Sequence, residues 1–369
     1  MRSAGSSAPL DIDFLSSMPQ VFDAPLPARA RLSDDAEDFR VVEIPKFQAL
    51  RSGSHAWLKI EKRNLNTVEV ADALARLAGV PRIAVGFAGM KDRMAVAVQW
   101  FSVDLGNQPD PPWEELQSDE LLVLECARHP RKLQRGALLG NRFEIVLRDV
   151  AIENEDRFQR HLEELRQRGM PNYFGPQRFG IDGANLRLAQ DLLIRRRRLS
   201  NRFQRSLALS AARALVFNRV LKARSAQADD LLPGDVMMLD GRKSVFPIDA
   251  IDESTLEHFQ AKEIHPTGPL WGRGKRLVQG KALEVEDRIA AESKALCEGL
   301  EREGVEQARR ALRVFAKELD VRLEGDLAFL CFELPPGSYA TVLIETLFAL
   351  DTFRGRQGMA GPDEAIAIR

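Results

Sequence analysis

The amino-acid sequence predicts an α+β fold in which one domain interrupts another. Strand-like runs crowd both ends of the chain, helical periodicity fills its middle, and no regular strand–helix alternation links them. The 369 residues are two to three times the length of an ordinary domain, so two domains are expected.

Taken in order, residues 1–30 are rich in Ser, Ala and Pro and read as a loosely held extension. The run from Asp38, DFRVVEIP, reads as a strand with Phe39, Val41 and Val42 inward, and Trp57, Leu58 and Ile60 suggest a second. Thr67 is placed to cap a helix reaching Ala78, with Val70, Leu74 and Leu77 as its apolar stripe and Gly79 and Pro81 as its stop. IAVGF (83–87) and AVQWFSV (97–103) are β-like and flank the short connection AGMKDRM; residues 123–126 and 143–147 supply further strands. Helical patterns run from Glu155 to Arg224 and again over 285–318, separated by turns at Pro233-Gly234-Asp235 and Asp240-Gly241. AFLCFEL (328–334) returns to strand, Pro335-Pro336-Gly337 breaks it, and Ser338 is placed to cap a helix reaching Leu350.

Composition excludes several classes. No apolar run approaches the ~18–20 residues that a membrane-spanning helix needs. Three cysteines without CxxC spacing argue against a disulfide scaffold or a thiolate zinc site, and fit the reducing cytoplasm. The five histidines fall singly, so no metal site is expected. Glycines near Gly272 and Gly280 miss the phosphate-loop spacing, and Ala282 stands where that motif needs Ser or Thr. The net charge of −1 conceals a segregation: residues 128–219 hold twenty Lys or Arg against nine Asp or Glu, a net of +11. A polyanion partner and a set of locally paired, solvated arginines both fit that pattern.

Four segments can carry chemistry. In GFAGMKDRMAVAVQWF (86–101), Asp92 lies between Lys91 and Arg93, whose charges would hold it ionised as a nucleophile; an ordinary turn aspartate is the plain alternative. RHPRKLQRGALLGNRFEIVLR (128–148) combines Arg131, Lys132 and Arg135 with Asn141 and Phe143, which can bond and stack on a base or simply begin a strand. PNYFGPQRFG (171–180) sets Tyr173 and Arg178 among prolines and glycines, as RNA contacts or as a rigid hinge. Arg195–Arg198 with Arg202, Arg205, Arg213 and Arg219 forms a cationic helical stretch, suited to phosphates or to solvent.

The ordered set EDF (37–39), AGMKDRMAV with QW (88–100), RHPRKLQRGALLGNRF (128–143), PNYFGPQRFG, LSAARALVFN (209–218) and LPPGSYAT (334–341) resembles the tRNA pseudouridine synthase D (TruD) family, colinearly from about residue 31 to 353. The resemblance implies a pseudouridine-synthase catalytic domain over 31–168 and 314–369. Its sheet would be mixed and mainly antiparallel with flanking helices, and an α/β TRUD domain would be inserted over 169–313. It implies an isomerase that turns uridine 13 of tRNA into pseudouridine, with Asp92 as nucleophile and Phe39, Asn141, Phe143 and Tyr339 around the uridine. Lys91, Arg93, Arg131, Lys132, Arg135, Tyr173 and Arg178 are then expected against the RNA. The expected partner is tRNA; a cofactor-free cytoplasmic monomer, off the membrane and without an obligate protein partner, is implied. Three positions depart from the family: Ser33 replaces a basic residue, Ala97 replaces Thr, and Tyr339 stands where Phe is common. Ser33 leaves open which cation serves Asp92 and keeps a catalytically silent tRNA binder as the rival reading. An enzyme acting on another RNA is the second rival.

Overall fold

A computed structural model describes residues 26–46, 50, 52–225 and 231–351. The first stretch of chain holds β1 (Ala28–Leu32), β2 (Phe39–Pro45), β3 (His55–Arg63), α1 (Thr67–Leu77), β4 (Val85–Phe87), β5 (Val96–Asp104), β6 (Leu121–His129), β7 (Leu138–Ile152), α2 (Glu155–Arg168) and β8 (Met170–Pro171). The middle holds α3 (Ala184–Ala189), a π-helical turn (Gln190–Ile194), α4 (Arg202–Ser225), β9 (Val236–Leu239), β10 (Val245–Pro247), α5 (Glu253–Gln260), β11 (Ile264–Leu270), α6 (Gly280–Glu292), α7 (Lys294–Arg302) and β12 (Ala308–Ala311). The chain returns through β13 (Arg313–Val314), β14 (Lys317–Glu324), β15 (Leu327–Leu334), α8 (Ala340–Leu347) and β16 (Ala349–Asp351).

Strands from both ends build one large sheet in the order β14-β15-β7-β2-β5-β3-β6, with β1 and β16 beside β7 and β4 beside β5. Its pairings are antiparallel except β2 with β5 and β1 with β16. Strands β9 to β12 without outsiders form a smaller antiparallel sheet, in the order β10-β9-β11-β12. Where the middle stretch leaves and rejoins the rest, β8 and β13 pair antiparallel, Met170 opposite Val314.

Helix α2 explains its own placement. Asn154 caps it by accepting from the Arg157 N–H at 2.9 Å, and Phe158, His161, Leu162 and Leu165 line up at spacings of three and four. That stripe packs with Leu343, Ile344 and Leu347 of α8 onto the β2, β7 and β15 half of the sheet. Helix α1 lays Val70, Ala71 and Leu74 on the β3 and β5 half of the same face. Burying each large side chain contributes roughly 1.5–3 kcal/mol. Among the described residues, no helix is long and apolar enough to cross a membrane.

Several sequence expectations are corrected. Residues 1–25 lie outside the described residues, but Ala28–Leu32 is a strand of the large sheet, so the N-terminal extension does not reach residue 30. Val42 is half-buried and Glu43 continues the inward row, because side chains alternate faces along a strand. The helical middle is broken at 169–183 and 195–201, and the end of the second expected helix, 308–318, instead holds β12, β13 and the start of β14. The positive φ of Gly169 (71°) and Gly304 (75°) ends the preceding helices at both places. Asn66, not Thr67, caps α1, and its N–H donates to Glu69 at 2.6 Å. Tyr339, not Ser338, caps α8, which stops at Leu347.

Candidate functional site

Strand alternation sets four rows side by side on the helix-covered face: Phe39-Val41-Glu43, Leu58-Ile60-Lys62, Ala97-Gln99-Phe101 and Asn141-Phe143-Ile145. Each row is apolar except for one polar residue, and these four, Glu43, Lys62, Gln99 and Asn141, all reach the loop 88–95 between β4 and β5 or its neighbours. Gln99 Nε2 donates to the Gly89 carbonyl at 3.2 Å. Lys62 Nζ donates to the carbonyls of Asp92 at 2.8 Å and Leu65 at 2.7 Å. Lys91 Nζ donates to Asn141 Oδ1 and lies 3.6 Å from Glu43 Oε2. Thr67, freed from capping α1, accepts from the Lys91 N–H and donates to Gln99 Oε1, each at 3.0 Å.

The loop is therefore pinned from beneath, with Lys91 turned into the sheet and Asp92 exposed. The expected pair of flanking cations does not form around the carboxylate. Lys91 is engaged with Glu43 and Asn141, and Arg93 Nε donates to the Asn64 carbonyl at 3.0 Å. Among the described residues, no ion pair reaches the Asp92 carboxylate. Lys62 is the cation beneath it. Although it has no solvent exposure, it is drawn toward protonation by the charge of Asp92; desolvation dominates and brings its pKa down to about 8. Ser33 accepts from the Asp35 N–H at 3.0 Å, and Arg31 pairs with Asp149, so neither serves Asp92.

Burial pushes the Glu43 carboxyl up and the Lys91 ammonium down, each toward its neutral form, while their mutual charge opposes both shifts. Removing one partner leaves the other charge buried and unpaired. Lys91→Met is expected to cost about 3–5 kcal/mol in urea unfolding, and Glu43→Leu in the Lys91→Met background to restore more than half. Equal losses in the single and double variants would show that the pair is not the source.

The remaining expected site residues divide. Phe39 and Phe143 meet edge to face at 6.2 Å, and Phe143 stacks on Phe332 at 5.4 Å. Both belong to the core, with Phe143 at 8% exposure, so little of its ring is open to a base. Tyr339 is half-buried; its hydroxyl accepts from Arg178 Nε at 3.0 Å, and Phe174 meets its ring at 6.3 Å. Gly175 permits this approach, because a Cβ there would lie 3.1 Å from the Tyr339 ring and 2.7 Å from Gln177 Oε1. Tyr173, expected against RNA, is 2% exposed and packs with Phe174, Phe179 and Phe217, so its ring serves the core. Lys91 is likewise buried and turned from solvent.

Arg131, Lys132 and Arg135 lie on the other flank of the Asp92 loop. The Gly136 N–H donates to the Ala88 carbonyl at 2.8 Å, Lys132 donates to Ile83, and the Arg135 guanidinium sits 3.9 Å over Phe87. Two residues were missed from sequence. Lys62 is hidden in a strand but carries a signal, being a lysine at an inward position of an alternating row. Arg310 lies 4.1 Å over Phe174, donates to the Asn172 carbonyl at 3.1 Å and to the Gly337 carbonyl at 3.0 Å, and is desolvated down to about 10. It ties the PNYFG segment to the turn before Tyr339, and nothing local in its sequence announces that.

Among the described residues, no cluster of His, Cys, Asp and Glu is arranged to hold a metal ion. What the site offers is a solvent-facing carboxylate on a loop pinned from below, a buried cation under its backbone and a polar floor. That combination suits nucleophilic or proton-transfer chemistry on an organic substrate.

The family model described as tRNA pseudouridine synthase D (TruD) matches residues 26–200 and 197–347. The tRNA pseudouridine synthase D of Methylococcus capsulatus is 45% identical over 327 residues, 88% of this chain and 92% of that protein. That of Nitrosococcus oceani is 42% identical, over 87% of this chain and 91% of its own length. The crystal structure of the putative tRNA pseudouridine synthase D from Methanosarcina mazei shares the fold with a TM-score of 0.67 at 20% identity, covering 89% of this chain and 95% of that one. With a match this long to the family and relatives this similar, the chain belongs to the tRNA pseudouridine synthase D (TruD) family.

Proposed function

We propose that this protein isomerises uridine 13 of tRNA to pseudouridine, with Asp92 as the nucleophile and no cofactor, acting as a cytoplasmic monomer. Family membership supports the activity, and one observation carries the assignment to Asp92: it is the exposed carboxylate on a loop fixed from below by Lys62, Gln99 and Asn141 through Lys91. The reaction breaks the N1–C1′ bond, turns the uracil and rejoins it through C5. It has no net redox change and needs no energy input. An ionised Asp92 serves by attack at C1′, by removal of the C2′ proton, or by addition to C6 of the ring. The base has to leave its stack to be reached, at a cost of a few kcal/mol that the half-buried Tyr339 ring offsets in part. Lys62 then acts as the cation under the loop, in place of the family residue replaced by Ser33.

We read residues 26–168 and 314 onward as the catalytic unit and 169–313 as the inserted domain, joined at the β8–β13 pair. RNA lies against Arg93, Arg131, Lys132, Arg135 and Arg178.

The test is direct. Purified protein is incubated with unmodified tRNA transcripts without added cofactor, and pseudouridine is mapped at single-nucleotide resolution. A single new site at position 13 is expected. No modification, or modification only elsewhere, defeats the reading.

A further inference from the structure

The arginine-rich stretch following the π-helical turn does not act as one face. Arg213 is 7% exposed and donates to the carbonyls of Leu270 and Glu306, each at 2.9 Å. Arg219 donates to Ser293 Oγ at 2.9 Å. Arg195 and Arg197 approach Asp191 at 3.0 and 3.4 Å, and Arg205 pairs with Glu303 at 2.8 Å. Arg196, Arg198 and Arg202 are exposed and form no ion pair among the described residues. Together with Arg197, Arg205 and Arg302 they line a cavity of about 470 Å³, whose one acidic lining residue, Glu303, is held by Arg205.

The backbone is shaped to make this recess. The π-helical turn closes with the Arg195 N–H on the Gln190 carbonyl at 2.9 Å. Arg196 then adopts a left-handed conformation at φ 56°, and the Arg197 N–H turns back to the Asp191 carbonyl at 2.8 Å. A left-handed non-glycine residue is strained, and such residues and π-bulges recur at ligand clamps. Asn201 caps the first turn of α4 by accepting from the Phe203 N–H at 2.8 Å, and the positive end of this 24-residue helix faces the same region at Arg202. Of the six arginines lining the recess, Arg197 and Arg205 are paired with Asp191 and Glu303 and Arg302 donates to the Leu193 carbonyl at 2.6 Å, which leaves the three exposed guanidiniums of Arg196, Arg198 and Arg202 for an anionic ligand. The guanidinium fork matches phosphate oxygens in particular.

We propose that this recess binds a phosphate of the RNA backbone away from the reacting nucleotide; the choice of RNA as its source rests on the function proposed above. Helix α4 supplies the link. Ser210 accepts from Arg178 Nη1 at 3.1 Å, and Arg178 reaches Tyr339. Arg202 lies eight residues earlier on that helix, about 12 Å away along its axis, so a strand that touches Arg178 can continue to the recess. Arg178 and the recess thus offer the same RNA two contacts along one helix of the inserted region.

The test uses the full protein with R196Q/R198Q/R202Q together and R198Q alone. For an unmodified tRNA transcript, the triple variant should raise Kd about tenfold and flatten the dependence of log K on log salt by about one to two units, since each phosphate contact contributes roughly 0.7–0.9. The loss should sit in KM rather than kcat. R198Q should show a smaller change of the same sign at an unaltered melting temperature, which separates lost contacts from lost folding. Inorganic phosphate and pyrophosphate are titrated separately. If they bind saturably to the unaltered protein, lose binding in the variant, and tRNA affinity stays unchanged, RNA is not the source. Unchanged tRNA and phosphate binding in a folded triple variant removes the site altogether. If the unaltered protein binds tRNA without isomerising it, the proposed function fails while this binding test stays readable.

Discussion

Asp92→Asn is expected to lower the rate of uridine isomerisation at least about 10³-fold while tRNA affinity stays within about threefold. The substitution keeps the shape of the side chain and removes its charge. The contact that fixes the loop uses the Asp92 backbone carbonyl, at 2.8 Å from Lys62 Nζ, and is untouched by the change. In the proposed assignment, binding is carried by arginines other than Asp92's neighbours in the loop floor, so affinity has no reason to follow activity. Single-turnover assays on a tRNA transcript, with Kd measured in parallel by filter retention, give both numbers. If Asp92→Asn keeps more than a tenth of the rate, the carboxylate is not the reacting group. If it loses affinity in proportion, the defect is structural.

The second large effect is expected at Lys62. Lys62→Met should reduce kcat about 100-fold, because it releases the peptide that carries Asp92 and a displacement near 1 Å is enough for such a loss. Lys62→Arg keeps the charge and should recover part of the rate. The pH dependence separates this role from a packing role. Lys62 titrates near 8, so kcat should fall as pH rises through about 8 in the unaltered protein and stay flatter with Lys62→Arg, whose guanidinium remains charged.

Stability should move in the opposite direction. The folded pKa lies below the ordinary 10.5, so between about 8 and 10.5 the unfolded chain binds more protons than the folded one. Stability from this residue therefore rises with pH across that window, and is lowest below pH 8, where the buried ammonium is fully charged. Between pH 7 and 9.5 the unaltered protein should gain about 2 kcal/mol relative to Lys62→Met in urea unfolding. A flat difference would mean that Lys62 does not titrate as proposed. A buried cation that lowers stability at neutral pH yet holds the loop is what a functional residue is expected to look like, and a residue kept for packing alone would be apolar.

Much of the fold was legible because its signals are local. The strand runs at 39–45, 97–103 and 328–334 announce themselves by alternation, and α1 by its apolar stripe and following glycine. The expectations that failed involve competition between local preference and distant partners. Residues 308–318 carry many charges that read as a helix surface, yet β12 pairs with β11 and β14 with β15. Thr67 has the chemistry of a cap, but its hydroxyl goes to Lys91 and Gln99 from elsewhere in the sheet, leaving the cap to Asn66.

The candidate site divides along the same line. The colinear motifs placed Asp92, Asn141 and Tyr339 in one family pattern, and that pattern is carried by residue type and spacing alone. The sequence by itself thus determined the fold class, the family and the identity of the exposed acid. Only the tertiary structure decided which cation lies beneath that acid, that Tyr173 and Lys91 are withdrawn from solvent, and which arginines of the cationic stretch are left without an acidic partner. Burial and pairing depend on residues far away in the chain: Lys62 meets Asp92 across thirty positions, and Arg205 meets Glu303 across ninety-eight. A charge in sequence has a sign, but whether that charge is spent on a neighbour or offered to a ligand is settled only when the strands and helices close around it.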